Sequence, residues 1–378
     1  MEKRLHVTDL DRTPGRLTID LRALADNWRA LARRAAPGQC AAVVKANAYG
    51  IGLEQAAPTL WAAGARAFFV AQLDEGVAAR RLLPDEAEIY VLNGLEMGTD
   101  PADYAAHRLK PVIGSAGELE RWSDSEAHGA SPCAIHLDTG MSRLGFESLP
   151  ALRKAMERRG ATRAVDLLMS HFVSSEIRSD PINAAQIAQF EDARAAFPHL
   201  RASLANSSGV FLPDRPIYDL ARPGYALYGG NPTPGEANPM LPVVTLTVAI
   251  QQTRWVEAGA TCGYNGQWTA KRRNRLGTLL AGYADGLPRG AGATDAKEGA
   301  EVVIAGRRCP LVGRVSMDLC VADVTDLPED AVKPGDRAEF FGAAADLDDF
   351  AQRSGTIGYQ VLTSLGARYR REYVPSVR

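Results

Sequence analysis

The chain lacks the features that mark several protein classes. It has five cysteines in 378 residues (Cys40, Cys133, Cys262, Cys309 and Cys320), an odd number with no C-x-x-C pair and no Cys/His metal spacing. That excludes a disulfide scaffold and a zinc ribbon, and it suits free thiols in a reducing cytoplasm. No apolar run approaches the roughly 18 residues that a membrane helix needs. Residues 1–17 mix charges throughout, where a secretory signal would carry an unbroken apolar stretch. The expectation is a cytoplasmic protein with no membrane contact. A surplus of one charge is also missing: 43 basic and 45 acidic residues are interspersed for a net charge of −2, so no broad basic face is offered to nucleic acid. The dense patch Lys271-Arg272-Arg273-Asn274-Arg275 is short and reads as a solvated turn or edge strand. Internal repeats and low-complexity tracts are absent, and no G-x-G-x-x-G opens the chain.

What is present has a rhythm. Short apolar or β-branched runs recur eight times, at 40–45, 67–71, 89–93, 110–113, 134–138, 167–171, 202–206 and 218–222. Apolar residues at helical spacing lie between most of them, at 53–63, 74–83, 116–128, 149–159 and 184–197. Ahead of the first run, Asp20 is placed to cap a helix whose Leu21, Leu24, Trp28 and Leu31 share one face. Alternation alone does not separate a barrel from a doubly wound sheet. The strand count and the missing dinucleotide fingerprint select an α/β fold of (β/α)₈ TIM type over residues 15–235, with its site at the strand C-termini. From 230 to 239 the chain is rich in Pro, Gly and Asn, and strand-like runs follow at 243–250, 276–281, 300–304, 319–324 and 337–341. Residues 236–378, with 1–14, are therefore expected to form a second, mostly β domain.

Polar residues gather at the predicted strand ends. Lys45 and Tyr49 follow the first run, Asp138 to Arg143 the fifth, and His171 ends the sixth. Ser207 follows the seventh, and Arg222, Gly224 and Tyr225 follow the eighth. An amine packed at a strand mouth suits a Schiff base to an aldehyde cofactor. The loops after strands seven and eight are where barrels frequently bind phosphate, and Ser207 and Gly224 sit there. Singly, each has an ordinary explanation: a solvated lysine, a core histidine, an Asp-Thr-Gly turn. Jointly they set an amine, an imidazole, two guanidiniums and a phosphate cradle around one mouth.

The ordered motifs are Val43-Val44-Lys45-Ala46-Asn47-Ala48-Tyr49-Gly50, Asp138-Thr139-Gly140-Met141-Ser142-Arg143, Arg222-Pro223-Gly224, Gly282-Tyr283-Ala284-Asp285-Gly286, Gly313-Arg314-Val315-Ser316-Met317-Asp318 and Thr356-Ile357-Gly358-Tyr359. In these the chain resembles the alanine racemase family, pyridoxal-phosphate enzymes of fold type III. The resemblance implies a cofactor held covalently by Lys45 and interconversion of L- and D-alanine by two bases, for cell-wall synthesis or for catabolism. The second base is implied to be Tyr264, reaching the site from the β domain of the partner in a homodimer. Arg222 is implied at the pyridine nitrogen, with His171 beside it. Arg143 is implied near the phenolic oxygen and the substrate carboxylate, which the backbone at Met317 also contacts. The implied phosphate neighbours are Tyr49, Ser207, Gly224, Tyr225 and Tyr359, and Tyr283 lines the entry. No metal is implied.

Three positions depart from the family pattern. Ile51 replaces a usual histidine, which predicts local repacking. His136 replaces a lysine that many members carbamylate to steady Arg143, a task left to an anion, a water or His136 itself. Gln360 replaces a usual glutamate. A serine, lysine or broad-specificity racemase would share the same machinery. A fold-type III decarboxylase fits less well, because Tyr264 and residues 282–286 match racemases. A non-catalytic pyridoxal-phosphate-binding protein would be a barrel alone.

Overall fold

The computed structural model describes residues 13–129, 131–157, 164–213 and 216–375. The expectations for residues 1–12, and for the helix end at 158–159, lie outside these. The chain forms two compact units: Ala23–Leu241, and the described residues up to Arg22 together with those from Pro242 onward.

Strand β1 (Gly15–Asp20) belongs to the second unit and alternates buried and half-buried positions, as a strand covered on one face does. Asp20 ends it and caps the helix Leu21–Ala35, accepting the Arg22 N–H at 2.8 Å. That helix buries Leu24, Trp28 and Leu31 and ends with Arg33 and Arg34, which suit its negative C-terminus.

The first unit is the barrel. Strands β2 (Gln39–Cys40) and β3 (Ala42–Val43) are one strand interrupted at Ala41. Strands β3, β4 (Ala67–Val70), β5 (Glu88–Val91), β6 (Leu109–Ile113), β7 (Cys133–His136), β8 (Val165–Met169) and β9 (Arg201–Ser203) run parallel in sequence order. The short β10 (Leu220–Ala221) closes the ring. Asp219 and Arg222 donate to the carbonyls of Ala202 and Ala205 at 3.0 and 2.8 Å, while Gln39 and Ala41 donate to those of Asp219 and Ala221, both at 2.8 Å. The expected eight-stranded architecture is thus present. Every residue of β4, β6 and β7 is buried, as parallel strands covered on both faces require. Lys110 in β6 is the buried cation of the barrel floor. Its Nζ meets Glu88 at 2.5 Å and Asp166 at 2.6 Å, and Arg201 meets Glu88 at 3.1 Å, so the N-terminal strand ends carry a compensated charge cluster.

In the second unit β11 (Val244–Val256) is long enough to serve two sheet regions. Its first half lies between β1 and β18 (Arg337–Phe341), and its second half pairs with β14 (Asn274–Leu279) beyond a register shift at Ile250/Gln252. Hairpin β12 (Thr261–Cys262) and β13 (Trp268–Thr269), antiparallel β15 (Glu301–Ile304) and β16 (Arg307–Pro310), β17 (Cys320–Asp323), and β19 (Arg370–Val374) parallel to β1 complete it. Cys262, Leu276 and Val312 form a small core here with Trp268 and Val321 against it. The basic patch is only partly what the sequence suggests. Lys271, Arg272 and Arg273 are exposed, but β14 is paired on both sides and Arg275 is buried, donating to the carbonyls of Val324, Leu327, Pro328 and Glu329.

Candidate active site

Lys45 follows β3 directly, and the backbone behind it is unusual. Ala46, Asn47, Ala48 and Tyr49 all have φ between 52 and 54°, one turn of left-handed helix in non-glycine residues. Each such residue costs about 1–2 kcal/mol, so the turn needs support from outside itself. Several contacts supply it. Ala48 donates to the Val44 carbonyl at 2.9 Å, Gly50 to that of Ala46 at 2.8 Å, and the Asn47 side chain accepts the Leu53 N–H at 2.8 Å. The Glu75 carboxylate accepts the Ala46 N–H at 2.6 Å. Burial, and then Arg143, lower the proton affinity of the Lys45 amine, while Glu75 opposes them.

The barrel mouth is rich in cations. Arg222 is buried, stands over the Phe69 ring, and donates to Ser203 Oγ and, at 2.5 Å, to the Ser170 carbonyl. His171 Nδ1 lies 3.4 Å away. No carboxylate pairs with Arg222 among the described residues, and burial alone pulls its guanidinium down to about 9. Burial and the neighbouring Arg222 push His171 well below the ordinary imidazole range and His136 to about 4. His136 makes no hydrogen bond to Arg143, so the imidazole does not steady that arginine here, and Arg143 is exposed. The loop carrying Arg143 is shaped instead by Asp138, whose carboxylate accepts the N–H groups of Gly140, Met141 and Ser142 at 2.7–2.8 Å.

Opposite, the loops after β9 and β10 form a tight backbone cradle. Ser207 Oγ accepts the N–H groups of Gly224 and Ala226 at 3.0 and 3.2 Å. Gly224 has no room for a side chain, because a Cβ there would sit 2.3 Å from the Tyr49 hydroxyl. Tyr49 is in turn stacked on Tyr228 at 4.6 Å, and Tyr228 donates to the Val43 carbonyl at 2.8 Å. Tyr225 is buried beside this cradle, and Ile51 is an ordinary core residue.

The barrel unit therefore brings together Lys45, Tyr49, Arg143, His171, Ser207, Arg222, Gly224 and Tyr225. Tyr264, Tyr283, Met317 and Tyr359 belong to the second unit, where all four are exposed, Tyr264 by 63%. Tyr264 and Met317 line one 460 Å³ depression with Leu319. Tyr283 N–H bonds the Ser316 carbonyl at 3.0 Å beside it. Gln360 pairs with Thr356.

Two residues that hold the site escaped the sequence reading. Glu75 is one. The other is the fully buried Gln186, which donates to Thr139 Oγ1 and the His171 carbonyl and accepts the Val173 N–H, all at 2.9 Å. It ties the loops after β7 and β8 together. The only local hint was a glutamine within an apolar helical pattern, at 184–197.

Comparison with known proteins identifies the family. The family profile "Alanine racemase, N-terminal domain" matches residues 19–232, and "Alanine racemase, C-terminal domain" matches residues 243–373. An alanine racemase from Methylobacterium sp. (strain 4-46) is 53% identical over 361 residues, covering 95% of this chain and 97% of the relative. One from Methylobacterium nodulans is 50% identical, covering 95% and 96%. The crystal structure of the Bartonella henselae alanine racemase, with covalently bound pyridoxal phosphate, superposes with a TM-score of 0.88 at 36% identity, covering 96% of this chain and 99% of that one. By sequence and by fold, this chain belongs to the alanine racemase family.

Proposed function

We infer that this protein is a pyridoxal-phosphate-dependent racemase that interconverts L- and D-alanine. One observation carries the reading: Lys45, Arg222, His171 and the Ser207/Gly224 cradle converge on one barrel mouth, where Arg222 is buried with no carboxylate partner among the described residues. Such a mouth fits a ligand with a phosphate, a phenolic oxygen and an aldehyde, and a substrate with a carboxylate. When bound, pyridoxal phosphate supplies the aldehyde that takes up an amine and a ring that draws electrons from the substrate Cα.

The chain's own residues do the rest. Lys45 carries the cofactor and, once released, accepts or returns the Cα proton on one face; its buried amine gives up a proton more readily than a solvated one. Arg143 receives the substrate carboxylate through its fork of donors. Arg222, which keeps its proton, would offer a donor to the ring nitrogen and so limit how far charge spreads from Cα. Tyr49, Ser207, Gly224 and Tyr225 would hold the phosphate. We assign the opposite-face base to Tyr264 of a second copy, with Met317 and Tyr283 shaping the substrate entry. The support for a homodimer is the exposed cluster of Tyr264, Met317, Leu319 and Tyr283 on the β unit, apolar surface of the kind that marks an interface. We place the protein in the cytoplasm, in keeping with five free, buried cysteines; among the described residues no helix is long and apolar enough to cross a membrane.

The test is to incubate pure protein separately with L-alanine, L-serine and L-lysine and resolve the enantiomers. D-alanine is the expected product, and no D-product from any substrate sinks the reading. Tyr264→Phe is expected to retain cofactor but stop exchange of the L-substrate Cα proton with solvent.

A further inference from the structure

The Glu75 side chain is the third residue of the helix Leu73–Leu82, and an acidic residue there ordinarily caps its own helix. One oxygen does that, accepting the N–H groups of Ala71 and Gln72 at 2.7 and 3.3 Å. Capping leaves the second oxygen unexplained. It reaches back 29 residues to accept the Ala46 N–H at 2.6 Å, the first amide of the left-handed turn behind Lys45.

We propose that Glu75 is a positioning residue for Lys45: its carboxylate bridges the loop leaving β4 to the left-handed turn, and it places the single negative charge beside the amine. This rests on the reading of Lys45 as the residue that carries the cofactor. Among the described residues, Arg143 lowers the proton affinity of the amine and Glu75 is the carboxylate that raises it, while the amine in turn acts on His171. The packed helices also carry Glu54 and Asp74, both exposed, and neither acts on the amine. The bridge explains how a strained turn stays in register with the strand end. The charge explains how an amine among cations keeps enough proton affinity to take a proton from carbon.

The experiment compares wild type, Glu75→Gln, and Glu75→Gln combined with Ala46→Gly. Borohydride reduction of loaded wild type, followed by peptide mapping, locates the cofactor; a tag elsewhere than Lys45 overturns the reading of Lys45 and leaves Glu75 without a role to play. In cofactor-free protein, acetylation of Lys45 by acetic anhydride is followed against pH. Glu75→Gln is expected to move the midpoint down by roughly one pH unit and to weaken pyridoxal phosphate binding about tenfold. Ala46→Gly, which makes the left-handed conformation free of side-chain clash, is expected to restore affinity in that background while the midpoint stays low. With the tag on Lys45, an unchanged midpoint and affinity overturn the proposal. So does a loss of affinity that Ala46→Gly leaves untouched, since the loss would then come from the helix cap. If Glu75→Gln does not fold, Glu75→Asp keeps charge and cap but is one methylene short of the bridge; lost affinity supports the proposal and full affinity overturns it.

Discussion

Arg222 Nη2 lies 3.4 Å from His171 Nδ1 with no carboxylate to share between them. A guanidinium has no lone pair to offer, so His171 must present Nδ1 as an acceptor and remain neutral. Burial and the Arg222 charge both favour that state. Replacing Arg222 with glutamine is expected to raise the His171 pKa, with burial still holding it below the ordinary range. Titration of the imidazole Cε1–H shift by NMR measures this; no upward movement would show that the two side chains are electrostatically independent.

His136 gives a prediction about acid stability. Burial, and then Arg222, bring its pKa from 6.5 to about 4, so the unfolded chain takes up a proton at a higher pH than the folded one. Its contribution is fully present above the unfolded value and is lost as pH falls through 6.5 towards about 4. Between pH 7 and pH 5, His136→Gln should lose about 1–2 kcal/mol less stability than wild type in urea denaturation. Parallel losses in both proteins would place the imidazole outside the acid response.

Gly224→Ala tests the cradle. The added methyl would meet the Tyr49 hydroxyl at 2.3 Å, and Tyr49 cannot retreat because it is stacked on Tyr228. Overpacking of this kind costs about 1–3 kcal/mol, and the phosphate contact should weaken with it by about tenfold in pyridoxal phosphate affinity. Fluorescence titration of the cofactor-free variant reads the affinity directly; wild-type binding would mean the loop relaxes freely.

At the other end of the barrel, Lys110→Met should leave Asp166 without its ion-pair partner and Glu88 with Arg201 alone. The expected loss is about 2–3 kcal/mol, the low end for a broken buried pair because both carboxylates keep a quarter of their exposure. Adding Asp166→Asn should recover part of it. The midpoint of thermal unfolding follows both steps, and racemisation of alanine by the folded variants should stay near wild type, since this cluster lies at the strand ends opposite Lys45.

The strand rhythm from 40 to 222 was legible because parallel strands buried on both faces are written as short apolar runs, a local signal. The site residues at strand ends were legible for the same reason: once the strands are placed, Lys45, His171 and Arg222 follow. Arg275 was misjudged within its basic patch because a buried arginine that binds loop carbonyls looks, in sequence, like its solvated neighbours. The left-handed turn after Lys45 was also invisible, since Ala-Asn-Ala-Tyr offers only Asn47 as a residue tolerant of that conformation.

The sequence by itself determined the two-part architecture, the lysine at the first strand mouth and the set of cationic and small residues around it, because each follows from periodicity or from motifs a few residues long. Tertiary structure decided what holds them. Glu75 meets Ala46 across 29 positions and Gln186 meets Thr139 across 47. These contacts exist only after the barrel has closed and set neighbouring loops side by side, and no local pattern encodes such a meeting.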